Sequence, residues 1–156
     1  MHIEGTLEKI QDSIEKYLIS INELRNIPVL TYKQSDLESI LDVTIRSGIG
    51  VAVVLMPPIA NDVIRHIRGP IFNNLLIEIQ IIEDPAMNKS GNSLLSIAES
   101  VMEHLHGWSI KICEISYRIE LADGNQACQA KREDGKNIFF IRFSTPLSLE
   151  NHTIIS

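Results

Sequence analysis

Residues 75–83 read LLIEIQIIE, and this stretch decides the fold because its apolar and polar positions alternate. A period of two is typical of a β-strand that turns one face to a core. Asp84-Pro85 follows the run and predicts the end of the strand. The two predicted faces are Leu75, Ile77, Ile79 and Ile81 on one side, and Leu76, Glu78, Gln80 and Ile82 on the other.

Further strands are predicted before this stretch. Residues 49–56 read IGVAVVLM, which indicates a central strand that is apolar on both faces and ends at Pro57-Pro58. Gly48 and Gly50 indicate a helix stop followed by a close-packed strand start. Residues 28–32, PVLTY, predict a short edge strand, where a proline is tolerated.

Two amphipathic helices are predicted in the first third of the chain. Residues 4–24 carry apolar side chains at spacings of three and four. This spacing also fits a coiled-coil seam, but it lasts only three heptads, so packing against a sheet is the favoured interpretation. Residues 35–45 form the second helix, in which Ser35 and Glu38 make a capping box.

A third helix is predicted after the long strand, beginning near Ser93. Gly107 lies where a left-handed residue would cap this helix, and Trp108 is predicted to fold back onto its last turn. These two residues are the predicted structural cap of the helix.

A strand meander is predicted to complete the domain. It consists of an alternating run at 110–121, an exposed strand at 126–131 and a strand at 137–144, joined by turns at 123–125 and 133–136. Pro146 is predicted to close the fold. We therefore expect a single α+β domain over residues 1–147 and a frayed tail over 148–156.

Residues 57–71 are the least regular part of the sequence. Two interpretations remain open: an excursion covered by ordinary packing, with a helical turn near 61–67, or an arm whose isoleucines meet a partner. The residues of the hypothetical subunit interface are Ile59, Val63, Ile64, Arg65, Ile67 and Arg68.

No catalytic or metal-binding pattern emerges from the sequence. His104 and His106 are two positions apart, which places them on nearly opposite sides of a helix, whereas a zinc pair needs a spacing of three or four. Cys113 and Cys128 have no neighbours at ligand spacing. Nucleophile-elbow and phosphate-loop motifs are absent from the sequence. We predict no catalytic residues, no metal and no cofactor.

The charge balance limits the partners. The formal net charge is −6, which disfavours wrapping of phosphate backbones, and we expect no specific nucleic acid partner. The local basic cluster of Arg65, His66 and Arg68 favours an ordinary solvated loop over an RNA or anion contact. No apolar run approaches the roughly 18 residues of a membrane span, so no membrane association is expected.

The order of segments resembles that of the small tail-terminator and tail-completion proteins of tailed bacteriophages and prophages, including Mu-like minor tail proteins. The resemblance covers roughly residues 5–147. It is carried by the strand at 50–54, the helix end at 98–108 and the last strand at 139–145. The predicted helix at 35–45 departs from it, because this region is often a loop in those proteins.

The resemblance implies a mixed sheet with helices on one face and a ring of several copies, commonly six. The ring would cap the tail tube and meet head-completion proteins, so the location would be the virion tail, after assembly in the bacterial cytoplasm. The resemblance would assign the 57–71 connection to an arm at the ring interface and the strand at 126–131 to a subunit edge. An acidic chain would also suit a lumen through which DNA slides.

Two other function classes remain open. The first is a small adaptor of another phage-derived or injection system, which would be a monomer or dimer with a different protein as its partner. The second is a small enzyme whose site would be assembled from scattered polar residues such as His66, Glu78 and Arg118, and it would require a pocket that holds them together.

Overall fold

The computed structural model describes residues 5–32, 42, 48–66, 69–112, 114–124 and 127–148, with backbone alone at 60–74 and 146–148. They form an α+β domain, as the sequence predicts. A short 3-10 turn, Asn22–Leu24, follows the first helix. The elements are α1 Thr6–Ser20, β1 Val29–Thr31, β2 Val51–Leu55, β3 Ile59–His66, β4 Gly69–Glu83, α2 Leu94–Leu105, β5 Ser109–Ile112, β6 Ile115–Arg118, β7 Glu120–Leu121, β8 Cys128–Glu133 and β9 Lys136–Ser148.

The long strands β4 and β9 form the centre of the main sheet. They run antiparallel from the pair Ile71 and Ser148 to the pair Glu83 and Asn137. The outer side of β4 pairs first with β3 and then with β2, and the outer side of β9 pairs with β7 and β8. Strand β1 is parallel to β2 at one edge, so the sheet is mixed, and β5 and β6 form a separate hairpin.

Both described helices pack on the same face of the main sheet. The alternation at 75–83 produces this arrangement, because every second residue of β4 from Leu75 to Ile81 is buried against them. Strand β9 contributes Ile141 and Phe143 to the same core. Full burial of side chains of this size stabilises the fold by about 1.5–3 kcal/mol each. The helix residues in this core include Ile10, Ile14, Leu18, Ile97, Ala98, Val101 and Leu105.

A smaller apolar cluster lies on the opposite face of the sheet. Ala52, Val54 and Ile82 are buried there, and Ile138 packs beside them. All five residues of β2 are consequently buried, as predicted from its apolar composition. Asp42 accepts a hydrogen bond from the Lys136 ammonium at the turn between β8 and β9.

The prediction for residues 57–71 is wrong in its secondary structure. Residues 59–66 form β3 and β4 begins at Gly69, so the segment is a β-hairpin rather than an irregular connection or a helical turn. Its strand character comes from pairing with β4, which a local pattern does not reveal. Pro70 fits because it lies beyond the first pair of the β4–β9 ladder, Ile71 and Ser148.

The predicted strand at 110–121 is also wrong, because the chain reverses inside it. Ile112 and Ile115 are cross-strand partners, and Glu114 between them has a φ of +65°. The alternation shifts phase at this point, since Ile110 and Ile112 are even-numbered whereas Ile115 and Tyr117 are odd-numbered. The chain therefore forms β5, β6 and β7 in place of one strand.

Several boundaries differ from the predictions. Helix α1 ends at Ser20, four residues early, because the chain tightens into the 3-10 turn. Strand β9 continues through Pro146 to Ser148, and the proline lies opposite a bulge in β4 between Phe72 and Leu75. A bulge is one of the sites where a sheet accepts proline.

Two predicted segments lie outside the described residues. These are the helix at 35–45, of which only Asp42 is described, and the C-terminal tail from 149 onward. Within the described part of the chain, neither helix has the length and apolar character needed to cross a membrane.

Candidate interaction surface

Four of the six residues of the hypothetical interface lie in the first strand of the β3–β4 hairpin. Ile59, Val63, Ile64 and Arg65 belong to β3, whereas Ile67 and Arg68 lie outside the described residues. Ile59 is 57% exposed, so its apolar side chain is accessible to a partner. Strand β3 pairs with β4 on one side, and no other described strand pairs with it. The strand structure of this segment was not predicted from the sequence.

A second sheet edge lies on the far side, at β8. Ala127, directly before this strand, accepts a hydrogen bond through its carbonyl from the Arg142 N–H at 2.8 Å. Hydrogen-bonded and non-bonded pairs alternate along an antiparallel ladder. Every second residue from Ala127 onward therefore bonds to β9, and the main-chain groups of Cys128, Ala130 and Arg132 point away from it.

The turn that follows β8 supports this pairing of β8 with β9. Asp134 has a φ of +51° and Gly135 a φ of +75°, and Glu133 and Lys136 flank them as cross-strand partners. A two-residue loop with a positive φ at both residues is typical of a type I′ turn, whose twist matches that of the flanking strands. The turn predicted at 133–136 is confirmed.

The outer edge of β7 differs from that of β8, because a side chain covers it. Nδ1 of His106 accepts a hydrogen bond from the Leu121 N–H at 3.0 Å. Among the described residues, no strand or side chain does the same for the outward N–H groups of β8. The edge donor of β7 is satisfied within the chain, whereas β8 presents a row of free main-chain groups.

The polar face of the sheet holds paired charges. Arg142 donates from Nε to Oε1 of Glu78 at 3.1 Å, and Gln80 donates to the other oxygen of this carboxylate at 3.0 Å. Arg118 pairs with Glu120 at 3.1 Å on an exposed surface.

Glu83 has a more enclosed environment at the end of β4. Its side chain is 9% exposed, and its two oxygens accept hydrogen bonds from the amides of Asn88 at 2.6 Å and Asn137 at 3.2 Å. The Glu83 carboxylate therefore fastens the loop after β4 to the start of β9. Such a contact serves the packing of the sheet end.

The two histidines of α2 and its end contact different partners. His104 lies 3.3 Å from the Glu23 carboxylate, and His106 binds the main chain of β7. No group of three or more His, Cys, Asp or Glu residues in the described part of the chain is arranged to hold a metal ion. Cys128 contacts the Met102 sulfur at 3.5 Å, on the core side of β8.

Gly107 and Trp108 direct the chain from α2 into β5. Gly107 has a φ of +84°, and its N–H donates to the Ile119 carbonyl at 2.7 Å. The Trp108 N–H donates to the Leu105 carbonyl, and its indole stacks on the Tyr17 ring with 4.2 Å between the centroids. This stack joins the end of α2 to α1.

Replacing Trp108 with alanine should lower the free energy of unfolding by about 2–3 kcal/mol, because the Tyr17 ring loses its stacking partner and a cavity forms. Urea denaturation followed by circular dichroism measures the change. Tyr17→Phe is the matched control: it keeps the stack and removes only the hydroxyl bond to the His104 carbonyl, worth about 1 kcal/mol. Equal losses in the two variants would show that the stack contributes little.

The fold of this chain is similar to that of a solved virion protein. A chain in the structure of the virion of a native gene transfer agent particle superposes with a TM-score of 0.60 and 13% sequence identity. The similarity covers 92% of this chain and 98% of the other. No protein-family model matches the sequence, and no curated protein matches it. The two chains therefore share a complete domain fold.

Proposed function

We propose that the protein is a non-enzymatic structural component of a phage or prophage tail, and that it acts as a ring at the head-proximal end of the tail tube. The observation that carries this proposal is the similarity of its whole fold to a chain of a gene transfer agent virion. The similarity extends over nearly all of both chains, so it concerns the domain as a unit. The order of segments predicted from the sequence resembles that of tail-terminator proteins and supports the same role.

The surfaces of the domain are suited to a ring. A closed ring of identical subunits needs two different surfaces on each subunit, one for each neighbour. The β3 hairpin and the β8 edge lie on opposite sides of the sheet and provide such a pair. The net charge of −6 would reduce adhesion of DNA passing through the ring. The proposed partners are further copies, six in all in the proposed ring, together with tail-tube and head-completion proteins.

The enzyme alternative has less support. Glu78 is engaged by Arg142 and Gln80, and Arg118 belongs to the small hairpin, where it pairs with Glu120. Glu78 and Arg118 are thus each engaged by a different neighbour. The adaptor alternative predicts a monomer or dimer that binds an unrelated protein, so oligomeric state separates it from the ring.

The mass of the purified protein in solution tests the proposal. Light scattering should be recorded across concentration, for the protein alone and in mixtures with tail-tube and head-completion proteins of the same genome. A ring-sized species, visible by negative-stain electron microscopy, is the expected result. A monomer in every mixture would contradict the ring and favour the adaptor role.

Replacing Ile59 with aspartate should abolish assembly while the monomer stays folded, because the charge would have to be buried at the subunit contact. Ile64→Asp, further along β3, should have the same effect. Ile19→Asp is the matched control, since Ile19 on α1 is also 57% exposed. Light scattering reports assembly, and thermal melting reports folding. Loss of the ring in Ile19→Asp alone would place the interface elsewhere.

A further inference from the structure

We propose that neighbouring copies join by main-chain pairing, in which the open edge of β8 in one copy adds to the open edge of β3 in the next. This inference rests on the proposed ring and specifies how its subunits bind each other. The contact would extend the sheet from one copy into the next by the same hydrogen bonds that form the sheet within a copy.

Strand β8 presents a row of outward main-chain groups that can pair with another strand. The residues that point outward are Cys128, Ala130 and Arg132, by the alternation fixed at the Ala127–Arg142 hydrogen bond. Strand β7, in line with β8 on the same side of β9, has its outward N–H at Leu121 covered by His106. The fold thus protects one segment of this edge and leaves the neighbouring segment available.

The opposite edge at β3 is also open, since β4 is the only described strand that pairs with it. Strand β3 is eight residues long and β8 is six, so β3 can pair with β8 over its whole length. The remaining edge strand, β1, is short, and α1 lies against it: Gln11 donates to the Tyr32 carbonyl and Thr31 donates to Glu15. Among the described strands, β3 is therefore the best available complement to β8.

Strand direction and symmetry also favour pairing of β8 with β3. Strands β3 and β9 are both antiparallel to β4, and β8 is antiparallel to β9. When the sheet continues from β8 into the β3 of a neighbour in the same orientation, the new pair is antiparallel, which is the slightly more stable arrangement. Pairing of β8 with β8 would instead be two-fold symmetric and would end at a dimer.

The charged side chains on β8 favour pairing with a strand of complementary charge over pairing with arbitrary strands. Five of its six residues are exposed, and Lys131 and Glu133 pair with each other at 3.0 Å. Charged side chains on an edge strand discourage aggregation with arbitrary strands. A partner strand must accommodate the Lys131–Glu133 ion pair on one face of the sheet and Arg132 on the other.

The variant Ala130→Pro tests the pairing, because proline removes one outward N–H and places its ring in the contact. Proline is tolerated on the free side of an edge strand, so the monomer should retain its circular dichroism spectrum and melting temperature. Assembly measured by light scattering should weaken by roughly tenfold or more. The control Ala130→Gly removes the side chain but keeps the N–H, and should still assemble.

Cross-linking identifies the partner strand even if Ala130→Pro does not fold. In a background with Cys113 and Cys128 replaced by serine, one preparation carries Ala130→Cys and another carries a cysteine at position 61, 63 or 65 of β3. Mild oxidation of the mixture should give a disulfide between the two preparations for at least one position, since cross-strand Cβ atoms lie about 5 Å apart. Cross-links of Ala130→Cys to itself would indicate β8–β8 pairing and overturn the inference.

The outcomes separate this inference from the proposed function. Rings that form normally in Ala130→Pro, without mixed cross-links, would refute the β3–β8 contact and leave the ring intact. A monomer under all conditions, with and without tail proteins, would refute the ring and the contact together. Loss of rings in Ala130→Pro but not in Ala130→Gly, with mixed cross-links, would support both.

Discussion

Replacing Gly50 with alanine is expected to lower the free energy of unfolding by at least about 3 kcal/mol, which corresponds to a fall in melting temperature of roughly 6–12 °C. Gly50 has a φ of +84°, a conformation that costs other residues about 1–2 kcal/mol. An added Cβ would also lie 2.2 Å from the Met87 carbonyl oxygen. The clash is with backbone, so no side-chain rotation can relieve it.

The backbone around Gly50 explains why this contact cannot easily shift. The Asp84 N–H donates to the Gly50 carbonyl at 2.8 Å, and the Lys89 N–H donates to the Ile49 carbonyl. The loop after β4 is thus bonded directly to the start of β2. Moving it to accommodate a methyl group would break these bonds and loosen the Asn88 amide from Glu83.

Gly91→Ala is the control that separates the clash from the backbone conformation. Gly91 has a φ of +78°, but a Cβ there would have no heavy atom within 4 Å. Gly91→Ala should therefore lower the free energy of unfolding only by the conformational cost of about 1–2 kcal/mol. Thermal and urea denaturation of both variants give the comparison. A loss at Gly50 no larger than that at Gly91 would show that the loop gives way to the methyl group.

The strands with a clean local pattern were predictable from the sequence. The alternation at 75–83 correctly identified the residues of β4 that face the helices, and the apolar run at 49–56 correctly indicated a strand buried on both faces. The Asp134-Gly135 turn was predictable from its residue types. Both residues have a positive φ, which glycine adopts without steric cost and aspartate tolerates. These features depend on short-range chemistry.

Features that depend on distant partners were not predictable in the same way. Strand β3 has polar residues and prolines on both sides, and its conformation is fixed by pairing with β4. The reversal at Glu114 lacks the usual turn residues, although the phase shift between Ile112 and Ile115 was a signal that could have revealed it. The contact of His106 with Leu121 spans 15 positions and has no local signature.

The interface at β3 stays a prediction, and its hairpin structure was not predicted from the sequence. Ile59 and its neighbours were singled out because apolar residues in a polar connection call for a partner, and this reasoning applies equally to a hairpin. The availability of β8 could be anticipated from its polar composition. Which of its residues point outward depends on the register with β9, and a register is set by long-range pairing.

Replacing Phe143 with alanine should lower the free energy of unfolding by about 3–5 kcal/mol, because the cavity would open in the middle of the core. Phe143 is fully buried on β9, where it is paired with Ile77 on one side and Leu121 on the other. The sheet and helices around it are fixed by their own hydrogen bonds, so they can collapse only partly into the space. Urea denaturation should give a lower midpoint with an unchanged slope.

Phe140→Ala provides the matched comparison, because the same side chain is removed from the same strand on the opposite face. Phe140 is half-buried between Gln80 and Gln129, and water can fill the space it leaves, so the expected loss is about 1–2 kcal/mol. The difference between the two variants measures how unequally the sheet faces contribute to stability. Equal losses would mean that the polar face is as tightly covered as the helix face, and Phe140 would then belong to a second core of comparable weight.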